Sequence, residues 1–113
     1  MRPGLLGRAT VVLEKLAAPE VLDDLGSPVE TWETLTTCPA YIEPLVGREL
    51  FAAQQTQATA DHRIWLRYDT ETAQLTPVMR IRYGTRLFDI QAIQNTGSRN
   101  AELQVIAKER LAA

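Results

Sequence analysis

A length of 113 residues allows one small core and no second independent domain, so residues 1–113 are read as a single domain. A hydrophobic fraction of 45% beside 23% charged residues is ordinary globular usage and excludes wholesale disorder or a collagen-like repeat. Twelve basic against 14 acidic residues leave a net charge of −2, too balanced for binding that rests on neutralising many phosphates.

Six stretches carry β-branched and aromatic residues between turn residues, and one reads as helix. Thr10 to Leu16 is the first predicted strand, followed by a loop over residues 17–28 that holds Pro19, Gly26 and Pro28. From Val29 to Ile42, alternation places Trp32, Thr34, Thr36, Cys38, Ala40 and Ile42 on one face of a long strand, with a bend at Pro39. Arg48 to Gln57 contains helix formers with no β-branched residue before Thr56, and predicts a short helix in an insertion at about residues 44–58. Its apolar stripe of Leu50, Phe51, Ala52 and Ala53 is thin, which predicts a weakly anchored element.

Thr59 to Tyr68 alternates with His62, Ile64, Leu66 and Tyr68 on one face, and Arg63, Trp65 and Arg67 on the other. Both sets are large, so both faces are expected to touch protein. Pro77–Tyr83 and Arg86–Ile93, joined through Gly84-Thr85, read as a hairpin with Gly84 at positive φ. Turn residues over 95–100 lead to a last strand, Glu102–Lys108. Six antiparallel strands in so short a chain avoid open edges by curling, so the predicted fold is mainly β: a small antiparallel barrel with one helix-bearing insertion. Trp32, Ile42, Ile64, Leu66, Ile81, Phe88, Ile90 and Val105 are the predicted core.

Chemistry is sparse. A lone cysteine, Cys38, and a lone histidine, His62, cannot supply the paired soft ligands of a zinc or iron–sulfur site, and no metal or other cofactor is expected. Asp61 is expected on the opposite strand face from His62, which leaves the imidazole without an orienting partner, and Cys38 is read as an inert buried thiol. The carboxylate pairs Glu30/Glu33, Asp23/Asp24 and Glu43/Glu49 read as solvated acids, and no phosphate-cradling glycine motif occurs. No catalytic residue can be named, and an enzyme is not expected. No apolar run reaches a membrane span and no secretory leader is evident, so a cytoplasmic product without membrane contact is expected. Charge is polarised, with three basic and seven acidic groups over residues 1–44, then nine basic and seven acidic over 45–113. Arg63, Trp65, Arg67, Arg80 and Arg82 form a candidate interface face, read as protein contact, with an OB-like single-strand-binding surface as the alternative.

Asp23-Asp24-Leu25-Gly26 with Val29 to Glu33, Ala40 to Leu45 with Gly47-Arg48-Glu49 and Phe51-Ala52-Ala53, His62-Arg63-Ile64 with Arg67-Tyr68, and Met79 to Ile81 with Tyr83-Gly84 and Arg86 to Ile90 follow one another along the chain. In this order they resemble the bacteriophage head–tail joining proteins, also called head-closure or stopper proteins. The resemblance implies a non-enzymatic connector component of a virion, whether of a phage, a prophage or a gene transfer agent. It would be assembled in the bacterial cytoplasm as a homo-oligomeric ring, six-fold in preference to twelve-fold, and a tail terminator is the related alternative. Implied partners are a portal-side adaptor, a tail terminator or tail tube protein, and packaged double-stranded DNA held without sequence specificity. By the same resemblance, Gly47, Arg48, Glu49, Leu50, Phe51, Gln54 and Gln55 fall in a segment facing the channel or neighbouring subunits.

Overall fold

The computed structural model describes residues 9–17, 24–26, 31–56, 59–95 and 102–110. The strands are β1 (Ala9–Leu16), β2 (Trp32–Pro44), β3 (His62–Arg67), β4 (Arg80–Tyr83), β5 (Arg86–Asn95) and β6 (Glu102–Arg110), with one α-helix, α1 (Gly47–Thr56), between β2 and β3. All pairings are antiparallel and the sheet closes on itself in the order β1-β2-β3-β6-β5-β4. The mainly β, six-stranded barrel expected from the sequence is the observed architecture. Closure pairs β1 with β4 over only three residues, Val12 to Glu14.

The interior holds Val11 and Leu13 of β1, Ala40 of β2, Ile64 and Leu66 of β3, Ile81 of β4, Phe88 and Ile90 of β5, and Leu103, Val105 and Ala107 of β6, capped by Leu75. Six of the eight predicted core residues are buried there. Ile42 is half-buried against the cluster. Trp32 is the exception: it is half-buried beneath the Arg80 guanidinium, which stacks on the indole with 4.1 Å between the guanidinium carbon and the ring centroid. An indole at a strand end, where β1 and β2 run beyond the short β1–β4 seam, has a cation to cover it in place of core.

Element bounds shift where turns override propensity. Pro77 and Val78 lie in a turn closed by the Met79 N–H donating to Thr76 O (3.0 Å), so β4 is shorter than the predicted Pro77–Tyr83 strand. β3 begins at His62, because Thr59 sits in a turn. Between β3 and β4 a 3-10 turn, Thr72–Gln74, went unforeseen. Asp69 Oδ1 accepts from the backbone N–H groups of Glu71 (2.9 Å) and Thr72 (2.8 Å), and the buried Thr72 hydroxyl donates to Arg67 O (2.8 Å). An acid followed three residues later by a hydroxyl is a local turn signal. The hairpin is as expected, Tyr83 facing Arg86 across Gly84-Thr85 with Gly84 at φ +61°. Most of the predicted loop over 17–28, the start of the predicted second strand and most of the turn over 95–100 lie outside the described residues.

Two register irregularities change which side chains face inward. One, opposite Leu13 and Glu14, leaves Leu35 as an extra residue on β2 and packs it against the core. The other, between Ile90 and Ala92, leaves Gln91 as an extra residue on β5. Strict alternation would carry Phe88, Ile90 and Ala92 inward; the bulge turns Ile93 toward the core and Ala92 to the outer face.

Candidate functional site

Helix α1 lies along the outer face of the barrel. Gly47 starts it at φ +55°, a conformation that glycine adopts without steric cost, and Val46 O accepts from the N–H groups of Glu49 (3.2 Å) and Leu50 (3.4 Å). Glu49 in the first turn complements the helix dipole. No α1 residue is buried. Leu50 and Ala53 pack, half-buried, on a second cluster made by Leu45, Ala60 and the outward-facing Ile106, with Ala92 beside it. Gln54 Nε2 donates to Ala60 O (3.0 Å). Phe51 points away and is 68% exposed, and Val46 before the helix is 66% exposed. The expected thin stripe is present, but it splits: Leu50 anchors the helix to its own barrel and Phe51 does not.

Arg63 ties the helix to the wall. Its Nη1 meets Glu43 Oε1 on β2 at 3.3 Å and Glu49 Oε2 on α1 at 3.4 Å. Glu43 Oε1 also accepts from the indole N–H of the buried Trp65 at 3.0 Å. The Glu43/Glu49 pair, expected to be solvated, is instead two anions sharing one arginine. A cleft of about 400 Å³ lies between α1 and the outer faces of β3, β6 and β5.

The five residues of the predicted interface face do not share a face. β3, carrying Arg63, Trp65 and Arg67, and β4, carrying Arg80 and Arg82, stand three strands apart in either direction around the closed barrel. Arg80 Nε donates to the buried Glu14 Oε1 (2.8 Å), and Arg82 Nη2 lies 3.4 Å from Glu14 Oε2. A continuous basic and aromatic surface for single strands is therefore absent from these residues, most of which are spent on internal acids.

His62 sits at the end of the barrel where β3, β5 and β6 meet. Asp61 precedes the first residue of β3 and escapes strand alternation, so its Oδ1 reaches His62 Nδ1 at 2.7 Å and also accepts from the Glu109 N–H at 2.9 Å. The expectation that Asp61 and His62 point apart is thus corrected. The imidazole stacks edge-on against Phe88 with centroids 5.1 Å apart. Arg86 binds Glu109 through Nε to Oε2 (2.7 Å) and Nη2 to Oε1 (3.0 Å), which holds the Glu109 carboxyl below the usual carboxylate range. These groups pin the end of β6 to β5 and to the start of β3.

The Cys38 thiol is pushed up to about 11, first by burial and second by the charge of Asp69. Against an ordinary value of 9.0, the native protein at pH 8 is expected to hold about a hundredfold less thiolate than the unfolded chain. Alkylation timed with and without denaturant checks this; equal rates would mean that the thiol is open to water. The inert reading of Cys38 agrees with this environment.

Comparison with known proteins supplies what this geometry leaves open. The model of a family described as phage head completion protein matches residues 1–110. The chain belongs to the phage head completion protein family. Its role is that of a structural virion protein, and completing a head implies association with other capsid or connector proteins. Solved structures share the fold, among them the following two. The solution structure of protein SF1141 from Shigella flexneri 2a superposes with a TM-score of 0.70 at 23% identity, covering 96% of each chain. A chain of the virion of a native gene transfer agent particle superposes with a TM-score of 0.62 at 24% identity, covering 99% of this chain and 100% of that one. No curated protein matches.

Sequence reasoning found α1 and the hairpin, and missed the residues facing the helix: Ala92, Gln94, Gln104 and Ile106. A signal existed in Val105-Ile106-Ala107, where consecutive apolar residues require cover on both faces of a strand.

Proposed function

We propose that this head completion protein assembles as a homo-oligomeric ring below the portal and its adaptor, six-fold in preference to twelve-fold, where it closes the DNA channel and presents a docking face to the tail. The segment from Gly47 to Gln55 faces the channel or the adjoining subunit, and packaged double-stranded DNA is retained there without sequence-specific contacts. The portal-side adaptor and a tail terminator or tail tube protein are the flanking partners.

One observation carries the reading. Helix α1 buries none of its residues and holds to the barrel by one edge, while Phe51 stands 68% exposed on the other. A monomer gains nothing from an aromatic ring in water; a subunit in an assembly seats it against a neighbour.

Phe51→Ser tests this, because the loss falls on assembly and not on folding. Its melting free energy is expected to stay within about 0.5 kcal/mol of the parent, while complementation yields heads that leak DNA or lack tails. Normal numbers of filled, tailed particles would overturn the assignment. Leu50→Ser is the contrasting variant: Leu50 packs on Leu45, Ala60 and Ile106, so it lowers the melt as well.

A further inference from the structure

Exposed apolar side chains stand on two walls of the barrel that face away from each other. One is the helix wall, where α1 packs over Ile106 of β6 with Ala92 of β5 beside it and carries Phe51 outward. The other is the seam between β1 and β4. The seam ends with Glu14 opposite Arg80; two residues further, Leu16 on β1 is 44% exposed and Val78, ahead of β4, is 74% exposed. Trp32 faces Leu16 in the register of β1 with β2, and the Arg80 guanidinium stacked on its indole keeps the start of β4 beside it. Around the closed sheet β1 is three strands from β6 in either direction, so the two walls are opposite.

Two unlike patches on opposite walls suit one occupant, a second copy of this chain. A two-fold dimer uses the same patch twice, whereas a ring joins one wall of each copy to the opposite wall of the next. Charge favours the same pairing. β1 and β2 belong to the first 44 residues, which hold three basic and seven acidic groups, and residues 68–79, which lead to β4, hold Asp69 and Glu71 and no basic residue. On the helix, Arg48 shares the face of Phe51 three residues away. It is exposed and has no hydrogen-bond or ion-pair partner among the described residues. We propose that Phe51 of one copy seats on the patch of Leu16, Trp32 and Val78 of the next, with Arg48 turned toward the acidic segments around it. An aromatic ring set among an indole, a leucine and a valine is the kind of central anchor that dominates small interfaces. This pairing rests on the ring reading and commits Phe51 to the adjoining subunit instead of the channel.

Gln55→Cys and Thr34→Cys together place thiols beside the two patches and leave both intact. Gln55 is exposed one turn along α1 from Phe51, and Thr34 is exposed on the same face of β2 as Trp32. Cys38, its thiol pushed up to about 11, leaves little background. Particles carrying both substitutions are treated with a short bis-maleimide, and the linked peptides are identified by mass spectrometry. The expected product is a covalent ladder of this chain in which position 55 of one copy is joined to position 34 of another, while either substitution alone gives no dimer. Val78→Ser, outside the core, is expected to cut the ladder about tenfold or more with the melt unchanged. Without any cysteine added, Val78→Ser is also expected to lower the count of tailed particles, and combining it with Phe51→Ser to lower that count no further, because both remove one contact. A dimer from either cysteine alone, links to another particle protein only, no ladder, or a full count of tailed particles for Val78→Ser would overturn the pairing. Several copies of the chain per particle beside a missing ladder would leave the ring reading standing; a single copy per particle would overturn that reading as well.

Discussion

Phe88→Ala is expected to lower the unfolding free energy by about 3–5 kcal/mol. The ring is fully buried in the barrel interior, in a T-shaped contact with His62 and with the Arg86 guanidinium 5.0 Å from its centroid. Removing it opens a cavity that six hydrogen-bonded strands cannot close by sliding, because any slip of register would turn inward-facing residues outward. A domain of this size holds about 5–15 kcal/mol in all, so the variant should unfold at markedly lower urea. Urea titration followed by tryptophan fluorescence measures the shift. A loss below about 1 kcal/mol would mean that the site collapses around the missing ring.

Glu14→Ala is the second large effect, about 3 kcal/mol, because it leaves a largely buried cation without its partner. Glu14 is only 5% exposed, on the outer face of β1 opposite Arg80 of β4, and it bridges Arg80 and Arg82 beside the Trp32 stack. Replacing Glu14 and Arg80 together by methionine should recover most of the loss, since two apolar groups of similar shape do not strand a charge. A double-mutant cycle on thermal unfolding checks both statements. If Glu14→Ala alone costs under about 0.5 kcal/mol, water reaches the pair and screens it.

The acid limb of stability has a named contributor. Glu109 is held below its ordinary value by Arg86, so the pair stabilises the fold above the unfolded carboxylate pKa near 4.5, and that contribution fades as pH falls through the native value. Glu109 is partly exposed, so the contribution is modest.

Several features were legible because they depend on chain-local physics. The alternation of Ile64 and Leu66 against Arg63, Trp65 and Arg67 assigned the inward face of β3 correctly, and the Gly84-Thr85 turn located the hairpin. The helix was legible from propensity, and its weak anchoring from the thinness of its stripe. Even the separation of Leu50 from Phe51 follows from helical spacing, since adjacent residues point about 100° apart; what spacing leaves open is which of them meets the barrel.

Only the tertiary structure decided how the barrel closes, and with it where the charged residues go. Composition and periodicity determined a small single barrel, its six strands and one surface helix, because each follows from burying an alternating stripe within a short chain. Opposition of β3 and β4 around the ring depends on strand order, which no local pattern encodes, and it separates Arg63 from Arg80. The bulge at Gln91 depends on the mismatch between two paired strands, and by turning Ala92 outward it makes the floor of the cleft. Asp61 reaches His62 because β3 starts one residue later, at a boundary set by backbone contacts from Asp61 to Leu45 and Ala107. Side-chain direction is local while pairing partners are not, and the surfaces this protein offers to its neighbours are made by the pairing.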